Sequence, residues 1–343
     1  MCLACGKVLL HYCVEEEMKL SNPAASKADT RFEMTPGDRF SLVAINDCRR
    51  SEIVEDLRLP DGTWVLSKFP WPLDDRWRRL LGEIRTGSIA RANVVVVRVG
   101  LPDQELDKLQ EEATDLLTLL RLSGTLYYEG ADALQGSFDA SEVVIRQLSN
   151  LEELLPTRGS VCIPVNKGRL EEAAKHRLVR AAMRNAGHHR RFLEGLRIIV
   201  DGLKQYHGES RLHQFVRALE GLILPETGKT KRQFASRCQT FTIGSSGDEK
   251  ILNEAFDMRC DVEHVHKWDR SLNNYPDQEI ESVALLRTRQ MESLACSAYS
   301  CVLSNPSLQR HFVADADIEA FWKLPEADRR ILWPPGLDLQ SIR

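Results

Sequence analysis

The fold of the second half of the chain follows from the stretch Phe256-Asp257-Met258-Arg259-Cys260-Asp261-Val262-Glu263-His264-Val265-His266. Apolar residues in and before this stretch recur at alternating steps of four and three, at Ile251, Ala255, Met258, Val262 and Val265. That spacing predicts an α-helix with one buried stripe. Arg259 lies at the edge of the stripe, and the histidines stand at its C-terminal end.

The residue types around Arg259 point to chemistry on a phosphodiester. An arginine can neutralise charge on phosphoryl oxygens, and an imidazole can transfer a proton near neutral pH. On an ideal helix, residues seven apart differ by about 20° and residues five apart by about 140°. An unbroken helix would therefore bring His266 to the side of Arg259, whereas a helix that ends near Glu263 would let His264 turn back towards it.

Several other helices are predicted around this one. Amphipathic spacing or a basic helical run marks residues 170–185, 192–203, 212–223, 229–241 and 278–303. Gly208 separates two of these segments, as expected for a helical hairpin. The second half of the chain is therefore expected to be all-helical.

Three of these segments, taken in order, resemble the HEPN ribonuclease superfamily and its ApeA-like branch. Residues 211–223, read as RLHQFVRALEGLI, are similar to the "F..L..ALE.L" helix of that branch. The basic helix at 229–241 follows, and the Arg259-x4-His264 motif comes at the expected place. The resemblance covers roughly residues 192–302. Two positions depart from the family pattern, Cys260 and Glu263.

The resemblance implies a HEPN-like helical bundle that cleaves RNA without a metal or other cofactor. The 2′-hydroxyl would attack the adjacent phosphate and leave a 2′,3′-cyclic phosphate. His264 would be the general acid or base, with His266 as the alternative, Arg259 would bind the phosphoryl oxygens and Glu220 would support the pair. The resemblance also implies a homodimer through the helical domain and a role in anti-phage defence or as a toxin-like effector.

Two other interpretations of the motif stay open. In the first, the domain is a non-catalytic module that binds RNA or a nucleotide or forms a dimer, and Arg259 and Glu263 are a surface pair four residues apart. In the second, Cys260, His264 and His266 hold zinc, although the sequence supplies no fourth ligand at a suitable spacing.

A run of basic residues precedes the motif and is predicted to contact RNA phosphates. No acidic residue lies between Glu172 and Glu194, and uncompensated cations favour an anionic partner. The residues assigned to RNA binding are Lys175, Arg177, Arg180, Arg184, Arg190 and Arg191.

The first half of the chain is predicted to be mixed α and β. Strands are expected at 40–45, 63–66, 92–99, 125–128 and 143–145, and helices at 77–84 and from an N-cap at Asp103 to about Leu122. The predicted class is therefore α+β. The predicted divisions are a poorly defined segment at 1–38, a mixed domain of unknown role at 39–165, the helical domain at 166–325 and a tail at 326–343, with a junction near 156–160.

Composition sets the remaining expectations. Lysines and arginines number 46 against 50 acidic residues, so any nucleic-acid surface must be local. Nine scattered cysteines favour reduced thiols and a cytoplasmic location. No apolar run approaches the ~20 residues that a membrane span needs. Near the start, Cys2, Cys5, His11 and Cys13 are poorly spaced for zinc, and no metal is predicted there.

Overall fold

The computed structural model describes residues 32–47, 51–124, 128–139, 142–150, 163–334 and 336–342. Within these ranges an antiparallel sheet forms most of the first half and helices form the second half, so the predicted α+β class is confirmed. The candidate zinc residues at 2, 5, 11 and 13 and the predicted junction at 156–160 lie outside the described residues.

The sheet has six strands in the order β2-β3-β4-β1-β5-β6, and all neighbours are antiparallel. The strands are β1 (Arg39–Asp47), β2 (Leu57–Arg58), β3 (Trp64–Leu66), β4 (Val94–Gly100), β5 (Tyr128–Asp139) and β6 (Glu142–Asn150). The central strands are covered on both faces. Val94 and Val96 belong to one apolar cluster and Val95 and Val97 to another, which explains why β4 begins as an uninterrupted run of valines.

Three helices accompany the sheet, and they correct the sequence-based boundaries. They are α1 (Asp75–Leu81), α2 (Glu83–Ala90) and α3 (Leu106–Leu120). The single helix expected at 77–84 is two helices, because Gly82 between them has a φ of 79° and interrupts the turn. The N-cap of α3 is Glu105 rather than Asp103. The strand expected at 125–128 lies largely outside the described residues, and the long strand β5 after it was not predicted.

The second half contains nine described helices, six of which the sequence predicted. They are α4 (Lys167–Asn185), α5 (Arg190–Lys204), α6 (Gly208–Ile223), α7 (Thr230–Cys238), α8 (Ser246–Glu263), α9 (Asp277–Ser304), α10 (Pro306–Gln309), α11 (Asp315–Lys323) and α12 (Glu326–Leu332). The last three were not predicted. Trp333, beyond α12, packs on Phe241 with 4.5 Å between ring centroids, so part of the expected tail belongs to the core.

The centre of the bundle is the contact of α6 with α5 and α9. Tyr299 on α9 is fully buried, and its hydroxyl donates to the carbonyl of Ala218 on α6 across 2.8 Å. Gly195 on α5 and Gly221 on α6 lie against this hydroxyl. The same apolar cluster continues through α4 and α3 to the sheet, so the two halves share one core. In the described part of the chain, none of the helices combines the length and apolar character required to cross a bilayer.

Candidate functional site

The helix that carries Arg259 is fixed at both ends by local hydrogen bonds. At its start, the Ser245 hydroxyl accepts from the Asp248 amide at 3.1 Å, and the Asp248 carboxylate accepts from the Ser245 amide at 2.9 Å. This capping box defines where α8 begins. Met258 is buried one residue before Arg259, so the position of the arginine follows from the packing of the helix.

Arg259 is held between two carboxylates on different helices. Its Nη1 donates to Glu263 Oε2 at 2.6 Å, and its Nη2 donates to Glu220 Oε2 on α6 at 3.3 Å. Only 16% of the Arg259 side chain is exposed. The structure therefore brings the predicted residues Arg259 and Glu220 together, and it joins α6 to α8 through them.

Glu220 is an unusual carboxylate because it is largely buried. Burial raises the pKa of Glu220, and the nearby cation of Arg259 opposes that rise. Its Oε1 is buried without a hydrogen-bond partner among the described residues. A buried oxygen of this kind stays available to accept a hydrogen bond or a proton.

His213 on α6 belongs to the same cluster, and the sequence analysis missed it. Its Nε2 lies 3.3 Å from Glu263 Oε1, so Glu263 bridges the imidazole and Arg259. Burial lowers the pKa of His213, and Arg259 lowers it further, while Glu263 raises it. The signal was present in the spacing, because residues 213, 217 and 220 lie on one face of a helix. We call Arg259, Glu220, Glu263 and His213 the Arg259 cluster.

The C-terminal end of α8 settles the geometry on which the choice of histidine depended. The helix ends at Glu263, and His264 is its C-cap. Val265 has a φ of 58°, its amide donates to Val262, and the amide of His266 donates to Asp261. These two hydrogen bonds form a Schellman motif with valine at the left-handed position that glycine usually takes. His266 is therefore not on a continuation of the helix.

Both motif histidines are exposed at this turn. The ring centroids of His264 and His266 are 6.2 Å apart. Within the described part of the chain, neither imidazole has a hydrogen-bond partner, and neither is joined to Arg259 by a hydrogen bond. The structure thus places His264 directly after Glu263 in the chain, and among the described residues no hydrogen bond joins its imidazole to the guanidinium.

The expectation that the basic run lacks acidic partners is wrong. Carboxylates from distant segments reach four of its six members: Arg177 with Asp61 at 2.6 Å and Glu112 at 3.5 Å, Arg180 with Asp115 at 3.1 Å, Arg184 with Asp115 at 4.0 Å, and Arg191 with Asp315 at 2.8 Å. Lys175 and Arg190 are exposed. The sequence could not show these pairs, because most of the partners come from α3 and from the turn between β2 and β3.

A different basic surface lies beside α8. A groove of about 510 Å3 between α7 and α8 is lined by Lys229, Lys231 and Arg232 together with Asn253 of α8. Asn253 precedes Arg259 by six residues, which is about 9 Å along a helix axis. Lys231 pairs with Asp257 at 2.7 Å. We call these four lining residues the basic groove, and one carboxylate, Glu249 of α8, lines it beside them.

Cys260, which the zinc hypothesis groups with His264 and His266, is partly buried, and burial raises the pKa of its thiol. Among the described residues, the structure contains no cluster of three or more histidine, cysteine or acidic side chains arranged to hold a metal ion.

Comparisons of the chain with protein-family models, with curated proteins and with solved structures found no match.

Proposed function

We propose that the protein is a metal-independent endoribonuclease whose active site is built on the Arg259 cluster. The observation that carries the proposal is the Arg259 guanidinium, held by Glu220 from a second helix and standing five residues before an exposed histidine at the end of its own helix. The RNA 2′-hydroxyl attacks the adjacent phosphate and displaces the 5′-oxygen. The products are a 2′,3′-cyclic phosphate and a 5′-hydroxyl.

In this proposal Arg259 stabilises the charge that develops on the phosphoryl oxygens. Glu220 keeps the guanidinium in place from α6, since its Oε2 accepts from Nη2. Glu263 is the group that a phosphate must displace, and its side chain is 37% exposed, so it can turn away into solvent. Once Glu263 has turned away, Arg259 Nη1 can donate a hydrogen bond to a phosphate oxygen.

The proton is transferred by His264, whose exposed imidazole can reach a bound strand. His266 is the alternative on the same turn. His213 is a third imidazole near Arg259, but its contact with Glu263 and its lowered pKa suit it better to positioning that carboxylate.

We place the RNA strand along the basic groove rather than along the run on α4 and α5. The ion pairs of Arg177 and Arg180 are largely buried, with 14% and 13% of these arginine side chains exposed. Lys229 and Lys231 pair only with exposed carboxylates, at Glu226 and Asp257, and such pairs exchange readily with phosphate.

The resemblance to HEPN ribonucleases further supports a homodimer through the helical domain, with the two Arg259 clusters facing one another. It likewise supports a cytoplasmic effector that acts in anti-phage defence or as a toxin. In that arrangement the sheet-containing half is the natural place for a sensor.

One observation favours a second candidate, a non-catalytic module that binds nucleic acid or forms a dimer. Both terminal nitrogens of Arg259 already have carboxylate partners. With both terminal nitrogens paired, Arg259 can act as a purely structural link between α6 and α8.

The deciding experiment is cleavage of a labelled RNA by the full chain, with end-group analysis of the products. Arg259→Ala and His264→Ala are each expected to abolish cleavage, and His188→Ala, an exposed histidine between α4 and α5, serves as the matched control. Activity is expected to persist in EDTA, because the mechanism uses no Lewis acid.

Three outcomes would contradict parts of the proposal. Products with 3′-hydroxyl ends would exclude the 2′-hydroxyl as the nucleophile. Cleavage that survives His264→Ala but not His266→Ala would move the proton transfer to His266. Binding of RNA without cleavage by the wild-type protein under every condition tested would leave the non-catalytic module.

A further inference from the structure

A large cleft of the described structure lies away from the Arg259 cluster, where the sheet-containing half meets the helical half. It has a volume of about 1030 Å3 and runs between α3 and β6 on one side and α4 and α5 on the other. Clefts of this size at the junction of two structural units are the usual setting for small-molecule ligands.

One wall of the cleft is mainly cationic, with one carboxylate, Glu194, among its basic residues. It carries Arg184 from the last turn of α4 and Arg190 from the first turn of α5, and both residues are exposed. Arg184 is only loosely paired, with Asp115 at 4.0 Å. The first turn of α5 contains no acidic residue, so the positive end of its dipole adds to the charge of this wall. The wall is therefore suited to an anion with several oxygens.

The opposite wall presents hydrogen-bond acceptors and hydroxyl groups. It carries the exposed Glu111 and the half-buried Thr114 from α3, two further α3 carboxylates at Asp107 and Asp115, and Gln147 from β6. Leu193 and Val200 of α5 supply apolar surface between the two walls. A planar heterocycle that carries N–H donors fits such a wall, because its edge can donate to the acceptors while its face lies on the apolar side chains.

We propose that this cleft binds a nucleoside di- or triphosphate, with the phosphates at Arg184 and Arg190 and the base at Glu111, Thr114 and Gln147. The cationic wall complements the phosphates of such a ligand, and the opposite wall complements the N–H donors of its base. The proposal does not depend on ribonuclease activity, since none of these residues belongs to the Arg259 cluster or to the basic groove. A ligand in this position would contact both halves of the chain at once.

The test is isothermal titration of the full chain with ATP, GTP and inorganic pyrophosphate at one fixed low salt concentration. At least one nucleotide is expected to bind tenfold or more tightly than pyrophosphate, because the base and sugar add contacts. The double variant Arg184→Gln/Arg190→Gln is expected to weaken nucleotide and pyrophosphate alike by at least tenfold, as loss of hydrogen bonds to a charged group predicts. Thr114→Val is expected to weaken the nucleotide alone, by about three- to tenfold.

Lys175→Gln is the matched control, because Lys175 is an exposed cation on α4 that does not line the cleft. Its affinity for the nucleotides should equal that of the wild type. Thermal unfolding of each variant checks that the fold is retained. Nucleotides that bind no more tightly than pyrophosphate would overturn the proposal and leave a simple anion site. Absence of nucleotide binding, with RNA binding that is lost in the double arginine variant, would assign the cleft to RNA instead.

Discussion

Glu263 Oε2 accepts a hydrogen bond from Arg259 Nη1 across 2.6 Å, so a carboxylate lies on the edge of the guanidinium that a phosphate would need. The two residues are four apart on α8, and the Glu263 side chain is 37% exposed while that of Arg259 is 16% exposed. The Glu263 end of the pair faces solvent, where an ion pair contributes about 0–1 kcal/mol, so a phosphodiester can displace this carboxylate although the guanidinium itself is mostly buried. In the proposed reaction, the contact would therefore compete with the RNA phosphate for Arg259 rather than prevent its binding.

This competition predicts the effect of Glu263→Gln. The amide removes the negative charge that occupies Arg259, so the variant should cleave RNA with a KM lowered roughly two- to fivefold, which corresponds to about 0.4–1 kcal/mol at the solvent-facing end of the pair. Steady-state cleavage at several substrate concentrations measures the change. Loss of turnover in Glu263→Gln would instead show that the carboxylate takes part in the reaction.

The position of the RNA strand can be read from the salt dependence of binding. Each phosphate contact on single-stranded RNA contributes about 0.7 to the slope of log K against log salt. Reversing Lys229, Lys231 and Arg232 to glutamate should therefore flatten the slope by about two and weaken binding to all sequences alike. Titrations of labelled RNA at several salt concentrations, with an uncleavable 2′-deoxy strand as a second probe, provide the measurement.

The matched control reverses Lys175, Arg184 and Arg190, which are exposed cations of the run on α4 and α5. The slope for this variant is expected to equal that of the wild type. The opposite result, a flattened slope for the α4–α5 variant and an unchanged one for the groove variant, would restore the assignment made from sequence.

The sequence predicted those parts of the fold in which the pattern is local. The helices α4 to α9 were predicted because each has its own amphipathic spacing or basic helical run, and β4 because four consecutive valines strongly favour a β-strand. By contrast, β5 was missed. Its residues 130–136 read GADALQG and are poor in β-branched types. The strand exists because β1 and β6 pair with it on both sides.

The sequence predicted mainly those residues of the candidate site that lie within one segment of the chain. Arg259, Glu263 and the two histidines are neighbours in sequence, and Glu220 was found by resemblance. The contact of His213 with Glu263 spans 50 positions and depends on how α6 packs against α8. The same limit applies to Arg177 and Asp61, which are 116 positions apart. Such contacts depend on the packing of distant segments, and no local pattern shows them.

His213 predicts an acid-sensitive component of stability. Its folded-state pKa lies below the ordinary value of 6.5, chiefly because of burial. Below pH 6.5 the unfolded chain takes up a proton that the folded chain resists, so stability should fall as the pH drops from 6.5 through the folded-state pKa. His213→Gln should lack this component. The measurement is the Tm of the wild type and of His213→Gln between pH 5 and 8. A difference between the two Tm values that stays constant over this range would contradict the prediction.

Val265 predicts a stabilising substitution at the end of α8. A left-handed backbone conformation costs a non-glycine residue roughly 1–2 kcal/mol, and Val265 is 92% exposed with a φ of 58°. Val265→Gly should therefore raise the free energy of unfolding by about 0.5–1 kcal/mol, after the entropy cost of glycine is subtracted. Val54→Gly, at an exposed valine with ordinary φ, should lower stability instead. Destabilisation by both substitutions in chemical denaturation would be inconsistent with strain at Val265.

The close packing of α5 against α9 predicts a coupled pair of core substitutions. A Cβ added at Gly195 would overlap the hydroxyl of Tyr299, which is fully buried. Gly195→Ala should therefore lower the free energy of unfolding by about 1–3 kcal/mol, as overpacking does. Tyr299→Phe should cost about 1 kcal/mol, because it removes the hydrogen bond to the Ala218 carbonyl.

The double variant separates steric overlap from a general effect of alanine. Removing the hydroxyl relieves part of the overlap, so the double variant should be less destabilised than the sum of the two single changes, by about 1 kcal/mol. Gly87→Ala is the control, because a Cβ there meets only the Arg91 guanidinium at an ordinary 3.6 Å and the position is inside α2. It should raise stability by about 0.5–1 kcal/mol. Strict additivity of the core pair in chemical denaturation would mean that the backbone of α5 moves away from α9 to accommodate the methyl group.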